Sequence, residues 1–434
     1  MSATVVGTLG VGILMLVLFL LGTSVGFAMA IVGFLGFAYL VSFDAALNMV
    51  GTTLWSTFSK YGLTVIPLFI LMGQVAFHSG VNERLYNAAY HWIGHIRGGL
   101  AMATIAACAA FSSICGSNTA TAATMATVAL PQMKKYRYHP MLSAGAVASG
   151  STLGVVIPPS VVLIIIGLST GQSIAELFYG GIGAGLVLTV LLIATVCVLC
   201  LLFPQWGPVG GKSAWRERFL SLFGAFEMIA LFSLVILGLY FGLFTPTEAG
   251  AAGAFLAILI AVARRRLSFK SFLAALKDTL RASCMVITIV AGAVIFGKFL
   301  TVTRIPNDLA GWVAGLPVPP TVILLIVFAM YIVGGAVMDA LALLMITIPI
   351  FFPLADQLGY DPIWFGVTVT VITTLGAITP PVGATTYVVG GMAKEIPLKE
   401  VFKGVSFFLP AYLVCIGLLM LLPGIITALP ALLH

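Results

Sequence analysis

Four short stretches of this sequence combine glycine, proline and small polar residues within apolar surroundings. They are Cys115-Gly116-Ser117-Asn118-Thr119, Ile157-Pro158-Pro159-Ser160, Gly334-Gly335-Ala336-Val337-Met338-Asp339 and Thr379-Pro380-Pro381-Val382-Gly383. Consecutive prolines remove two amide donors and unwind a helix, which leaves carbonyl oxygens unpaired. A hairpin tip of small residues exposes the N-terminal amides of its second arm. Freed carbonyls bind cations and positive helix ends attract anions, so the chemistry these stretches suit is reversible binding of an ion and a charged solute. Bond-making chemistry finds no support: no nucleophile, base and orienting residue occur together, no carboxylates are paired for acid–base work, and there is no GxxxxGK[ST] loop to take ATP.

Asp339 is the one carboxylate placed deep in apolar sequence, a position costly enough to point to function. It could shape a cation site or cap the second arm of its hairpin. Thr245-Pro246-Thr247-Glu248 looks polar and reactive, but Thr at an N-cap, Pro at the first helical position and Glu at the third describe a capped helix start. His91 and His95 stand four apart in HWIGHIRGG without a convincing third ligand, which favours an interfacial helix over a metal site. Six cysteines, at 108, 115, 197, 200, 284 and 415, all fall in apolar stretches and read as small buried hydrophobes. Cys197 and Cys200 form a CxxC in mid-helix, with no second pair to make it a metal or redox motif.

The elements that must position these residues are membrane helices. Of the 434 residues 61% are hydrophobic and 8% charged, and the mean hydropathy is +1.17. A soluble surface needs roughly 25% charged residues. Apolar runs long enough to cross about 30 Å of hydrocarbon recur from Val5 onward. They are continuous, unlike the alternating segments of about 10 residues in a barrel, so the fold is all-α and polytopic. The net charge of +7 comes from bases scattered between the runs, which excludes a nucleic-acid-binding domain. No charged leader precedes the first run, which reads as a retained span.

The chain repeats itself at a constant offset of 222 residues: Pro131 falls on Pro353, Tyr138 on Tyr360, Pro140 on Pro362, Gly154 on Gly376, and Pro158-Pro159 on Pro380-Pro381. The first-half loop carries Lys134, Lys135 and Arg137, whereas its counterpart carries Asp356 and Asp361 and no base. Short cytoplasmic loops are enriched in Lys and Arg, so equivalent loops lie on opposite sides and the repeat is inverted. An odd number of crossings per half is then required. Five are placed in residues 1–222, near 4–22, 24–42, 62–80, 141–168 and 175–202, and five in 223–434, near 226–243, 247–263, 283–302, 363–393 and 405–430. The stretches 99–131 and 319–353 are apolar but interrupted at their middles, and each reads as a re-entrant hairpin. Segments near 44–60, 81–97, 266–281 and 304–316 are too polar to span and read as interfacial helices. This threading puts the basic loops on the cytoplasmic side and both termini outside.

The ordered series PLFILMGQ (67–74), RGGLA (97–101), GSNTA (116–120), IPPS (157–160), GLFTPTEAG (242–250), MDALA (338–342) and TPPVG (379–383) resembles the large membrane subunit of tripartite ATP-independent periplasmic (TRAP) transporters over essentially the whole chain. The resemblance implies a sodium-driven importer of organic acids in the bacterial inner membrane, with no organic cofactor. It implies a moving transport domain drawn from 99–168 and 319–393 against a scaffold formed by the remainder, as in elevator-type carriers. It further implies two partners, a small membrane subunit and a periplasmic substrate-binding protein. Carried onto this chain, sodium would be held at Ser117, Asn118, Gly154, Gly335, Met338, Asp339 and Thr379, and the solute would meet Thr119, Pro159, Ser160, Pro381 and Gly383. The Ser-Asn-Thr of the first tip is also similar to the sodium motif of dicarboxylate carriers that work without a binding protein, which is the competing transport reading. A membrane anchor of an enzyme complex is the competing reading of another class; buried haem-ligand histidines would favour it, and none lies within the spans. No buried Arg marks a carboxylate clamp, and Lys298 and Arg304 read as interfacial, so the sequence does not name the substrate.

Overall fold

The computed structural model describes residues 2–211, 214–305, 308, 311 and 317–431. Among them there is no strand. The helices of the first half are α1 (Ala3–Leu21), α2 (Val25–Leu40), α3 (Phe43–Phe58), α4 (Val65–His78), α5 (Val81–Ile93), α6 (Gly99–Cys115), α7 (Asn118–Lys135), α8 (Pro140–Ser151), α9 (Leu153–Val156), α10 (Val161–Thr170) and α11 (Ile174–Leu202). Those of the second half are α12 (Trp215–Tyr240), α13 (Pro246–Ala263), α14 (Phe269–Thr303), α15 (Pro320–Gly335), α16 (Ala340–Gln357), α17 (Pro362–Ile378), α18 (Ala384–Met392), α19 (Leu398–Ser406), α20 (Leu409–Leu421) and α21 (Gly424–Ala431). Seven helical segments among the described residues are long and apolar enough to cross a bilayer, and five shorter apolar helices accompany them. The protein is a polytopic, all-α membrane protein.

The repeat is carried by the backbone. Helices α7 and α16 begin and end at matching residues, as do the starts of α8 and α17, and both double-proline breaks contain a cis peptide bond. Ser117 and Asp339 occupy the N-caps of α7 and α16. The following turns also match: Arg137 and Gly359 both take left-handed φ, of 59° and 81°. Tyr138 N donates to Met133 O at 2.9 Å, and Tyr360 N to Ala355 O at 3.0 Å.

Two helix pairs, α2 on α14 and α13 on α4, are repeat mates and form one body of the fold. They approach closely through small residues, as packing in lipid favours. A methyl group on Gly292 would lie 2.0 Å from the carbonyl oxygen of Gly26. The second body interleaves the halves. Broken-helix segment α10 packs on hairpin arm α16, and its mate α18 packs on arm α7. The start of α13 is the capping box read from the sequence, with Thr245 N donating to Glu248 Oε2 at 2.8 Å.

Two boundaries differ from the sequence reading. The 266–281 segment is not a separate interfacial helix: α14 runs unbroken for 35 residues, through Asp278 and Arg281. In the first half the matching position is interrupted by Ser59-Lys60-Tyr61-Gly62, where the chain leaves α3 and forms a short 3-10 turn at Tyr61–Thr64. No glycine or proline interrupts 269–290, so nothing forces a break there. The span near 405–430 is likewise two helices, because Pro423 follows α20 and α21 turns back onto α11. Most of 304–316 lies outside the described residues. Each ion pair recorded among the described residues (His78 with Asp278, Arg84 and Arg264 with Glu227, Lys134 with Glu395) joins groups that the threading puts on one side.

Candidate functional site

The first unit joins the tip between α6 and α7 to the break between α9 and α10. Gly116 turns the chain at φ 63°, and a methyl group there would lie 2.9 Å from the Pro159 carbonyl oxygen. Gly154 lies directly on the tip: its added Cβ would stand 2.6 Å from Ser117 O. Backbone of tip and break are therefore in contact, and only glycine permits it. Ser117 Oγ faces Thr119 Oγ1 at 3.2 Å and accepts from Ala120 N at 3.5 Å. Ser160 is fully buried and turned back on its own segment, donating to Val155 O at 2.5 Å. Asn118 is 4% exposed, and its Oδ1 has no hydrogen-bond partner. A buried acceptor left unpaired is costly, and a cation is one group that would satisfy it.

The second unit has the same plan with different surroundings. Gly335 and Gly376 face each other, and a Cβ on Gly376 would lie 2.6 Å from Gly335 Cα. Break and tip are also bonded. Val382 N and Gly383 N both donate to Ala336 O, at 3.0 and 3.1 Å. Gly383 takes φ +55°, which a side chain would resist. Thr379 donates to Leu375 O at 2.6 Å, and Asp339 Oδ2 accepts from Leu341 N at 3.0 Å as the cap of α16. Met338 is partly buried beside it, its amide donating to Gly334 O.

The sequence reading therefore named residues that the fold gathers into two units. The side chains of Ser160, Thr379 and Asp339 are engaged with their own segments, so within each unit it is backbone that joins tip to break. Two participants, Ala336 of the second tip and Gly376 of the repeat, are given no site role by the sequence. Ala336 acts only through its carbonyl, which no side-chain signal announces. Gly376 had a signal, since it stands at the repeat position of Gly154.

The units differ in cover. Every residue from 151 to 160 is buried, because α11 lies across the first break: a Cβ on Gly181 would meet Val156 O at 2.7 Å. Gly73 of α4 presses on the first tip, 2.7 Å from Ile114 O by the same measure. Asp339, Pro380, Pro381 and Val382 are exposed. The described residues hold no group of three or more His, Cys, Asp or Glu side chains fit for a transition metal.

Residues 12–425 match the family described as the DctM component of the tripartite ATP-independent periplasmic transporter. A C4-dicarboxylate TRAP transporter large permease protein of Pseudomonas aeruginosa is 33% identical over 378 residues, covering 87% of this chain and 88% of the relative. A sialic acid TRAP transporter large permease protein of Vibrio cholerae is 29% identical and covers 95% of each chain. Among solved structures, the YdaH transporter of Alcanivorax borkumensis is similar in fold, with a TM-score of 0.61 at 14% identity over 88% of this chain and 90% of that one.

Proposed function

This chain belongs to the DctM component family of tripartite ATP-independent periplasmic transporters, as a large permease subunit rather than an enzyme, and from that premise we propose that it imports a carboxylate-bearing solute across the bacterial inner membrane by sodium symport. The observation that carries the coupling ion is the predominance of neutral oxygens in the two units, Asp339 being their one carboxylate. Ser117, Asn118 and Thr379 supply side-chain oxygens, the breaks supply carbonyls, and Asn118 Oδ1 is buried without a partner. Sodium is a hard cation suited to such neutral oxygens. A symmetric proton relay would need a carboxyl in each half, and Asp339 has Ser117 as its counterpart.

The solute would sit between the tips, near Thr119, Pro159, Ser160, Pro381 and Gly383, with the amide ends of α7 and α16 supplying partial positive charge. The hairpins and broken helices would move as one transport body against α1 to α4 and α12 to α14, carrying the sites across the membrane. The packing of α11 and α19 on α8, α17 and their neighbours supports including both in the moving body. A small membrane subunit and a soluble periplasmic protein complete the system in this reading, with both termini periplasmic. The name of the family supports three components. The Ser-Asn-Thr tip supports the competing reading, a carrier that needs no soluble partner.

The test is uptake in proteoliposomes holding this chain and its small subunit, with the soluble protein added or omitted. A sodium gradient at equal pH should drive uptake when the soluble protein is present, and Asn118→Ala should raise the sodium concentration needed by about tenfold, the worth of one charge-assisted contact. Uptake driven by a proton gradient in sodium-free buffer would overturn the coupling. Full uptake without the soluble protein would establish the competing carrier.

A further inference from the structure

The two ends of the molecule treat one repeated turn differently. At the first, the turn Arg137-Tyr138-His139 is covered by the segment that links the halves. Trp206 stacks on His139 with ring centroids 4.5 Å apart and planes 13° from parallel, and Phe203 stacks on Trp206 at 4.8 Å. The linker backbone is bonded down as well: His139 N donates to Trp206 O at 2.9 Å, Tyr138 Oη to Pro208 O at 2.9 Å, and Gly98 N to Gly207 O at 3.0 Å. The bed of Tyr138 and His139 thus holds a turn of the chain itself, Phe203 to Trp206, closed by Trp206 N donating to Phe203 O at 3.0 Å.

At the other end, the matching turn Gly359-Tyr360-Asp361 repeats the left-handed residue and the Tyr N–H bond, and among the described residues no such segment lies on it. The chain leaves α20 and turns α21 onto α11, where Ile425 O lies against Gly183. What remains is a cleft of about 260 Å³ lined by Tyr360, Asp361, Trp364, Thr321, Met420 and Pro423. Tyr360 and Trp364 stack in it at 5.4 Å. Asp361 is exposed; one carboxylate oxygen caps α17 by accepting from Trp364 N at 2.7 Å, and it has no ion-pair partner among the described residues. The charge has reversed too: three bases in and just before the first turn (Lys134, Lys135, Arg137) give way to two carboxylates (Asp356, Asp361) and no base in and just before the second.

We propose that the cleft at Tyr360 and Asp361 is a docking site for a surface turn of the soluble partner, one that presents an arginine or lysine to Asp361 and the Tyr360 ring. The geometry supports this as the second copy of a bed that, at the other end, a turn of the chain itself fills. The change from His139 to Asp361 exchanges an aromatic stacking partner for an anion, and a guanidinium can answer both the carboxylate and the aromatic face. The identity of the partner rests on the reading that a soluble protein delivers the solute, while the peptide site itself does not.

The probes are fluorescein-labelled hexapeptides of the linker sequence with Arg or Glu in place of Trp, titrated by anisotropy against the full chain in proteoliposomes of defined orientation. The Arg peptide should bind on the face carrying Asp361, about tenfold more tightly than the Glu peptide, with Asp361→Asn removing that preference. Asparagine still caps a helix, so the variant should fold. Tyr360→Ala, checked for an unchanged melting profile, should weaken the Arg peptide several-fold. Equal binding of the two peptides, no effect of Asp361→Asn, or binding confined to the opposite face overturns the proposal. Peptide binding with undiminished uptake in the absence of any soluble protein would leave the site standing and remove its assigned partner.

Discussion

The first break is buried under α11 and its tip is half-buried beside α4, whereas the second pair, identical in plan, is exposed at Asp339, Pro380, Pro381 and Val382. Both units place glycine against backbone, both cap the second hairpin arm, and both break a helix at a cis Pro-Pro pair. What differs is what lies over them. Gly181 and Gly185 let α11 close on the first break, whereas their repeat positions in the second half are the bulkier Lys403 and Phe407, in and just beyond α19. The lesson is that a repeated device need not be repeated in exposure: the covering helices decide which copy is shut.

The largest effect tests the feature the units share. Adding one methyl group at Gly154 or at Gly376 would put carbon 2.6 Å from tip backbone in either unit. Overpacking against backbone cannot be relieved by a rotamer change and costs about 1 to 3 kcal/mol. Gly154→Ala and Gly376→Ala should each lower sodium-driven uptake by about tenfold or more, which a 1.4 kcal/mol loss already yields. Normal uptake in one variant alone would show that the two units are not functionally equivalent.

A smaller effect measures the difference itself. Ser160 and Val382 are repeat mates, one fully buried and the other 40% exposed. With the exposed Cys284 replaced by serine, Val382→Cys should react with a maleimide about tenfold faster than Ser160→Cys, a ratio set by the free energy of local opening. Equal rates would mean that the first unit opens readily and that the contrast in cover has no kinetic weight.

Much of this was legible in the sequence because prolines and glycines fix backbone locally. Pro158-Pro159 and Pro380-Pro381 locate the breaks, and Gly116 and Gly335 locate the tips, whatever surrounds them. Thr245 to Glu248 announces a cap by short-range bonding alone. Tertiary facts were not legible. Residues 266–281 carry enough charge to suggest an interfacial helix, yet helix α14 continues through them because Asp278 and Arg281 do not interrupt backbone hydrogen bonds. The cover over the first break depends on residues of a helix twenty or more positions away, and the bed for Trp206 on a loop some seventy positions upstream of it. Neither leaves a periodic mark.

The smallest effect separates capping from binding at the one position where the units differ in charge. Ser117 and Asp339 both cap a hairpin arm, but Ser117 Oγ lies 3.5 Å from its amide while Asp339 Oδ2 lies 3.0 Å from Leu341 N. Asp339→Ala removes the acceptor and should cost about 1 kcal/mol of stability, the usual worth of an N-cap. Asp339→Asn keeps an acceptor and removes only the charge at the helix N-terminus, worth about 0.3 to 1 kcal/mol. Ser117→Ala should fall near the lower end of the capping range, because its bond is long and its hydroxyl is shared with Thr119. If Asp339 only caps, Asp339→Asn should leave the sodium dependence of uptake unchanged, while Asp339→Ala lowers the melting temperature by a few degrees. A tenfold loss of sodium sensitivity in Asp339→Asn at unchanged melting temperature would instead place the carboxylate in the ion site. The open unit would then differ from the closed one in chemistry as well as in cover.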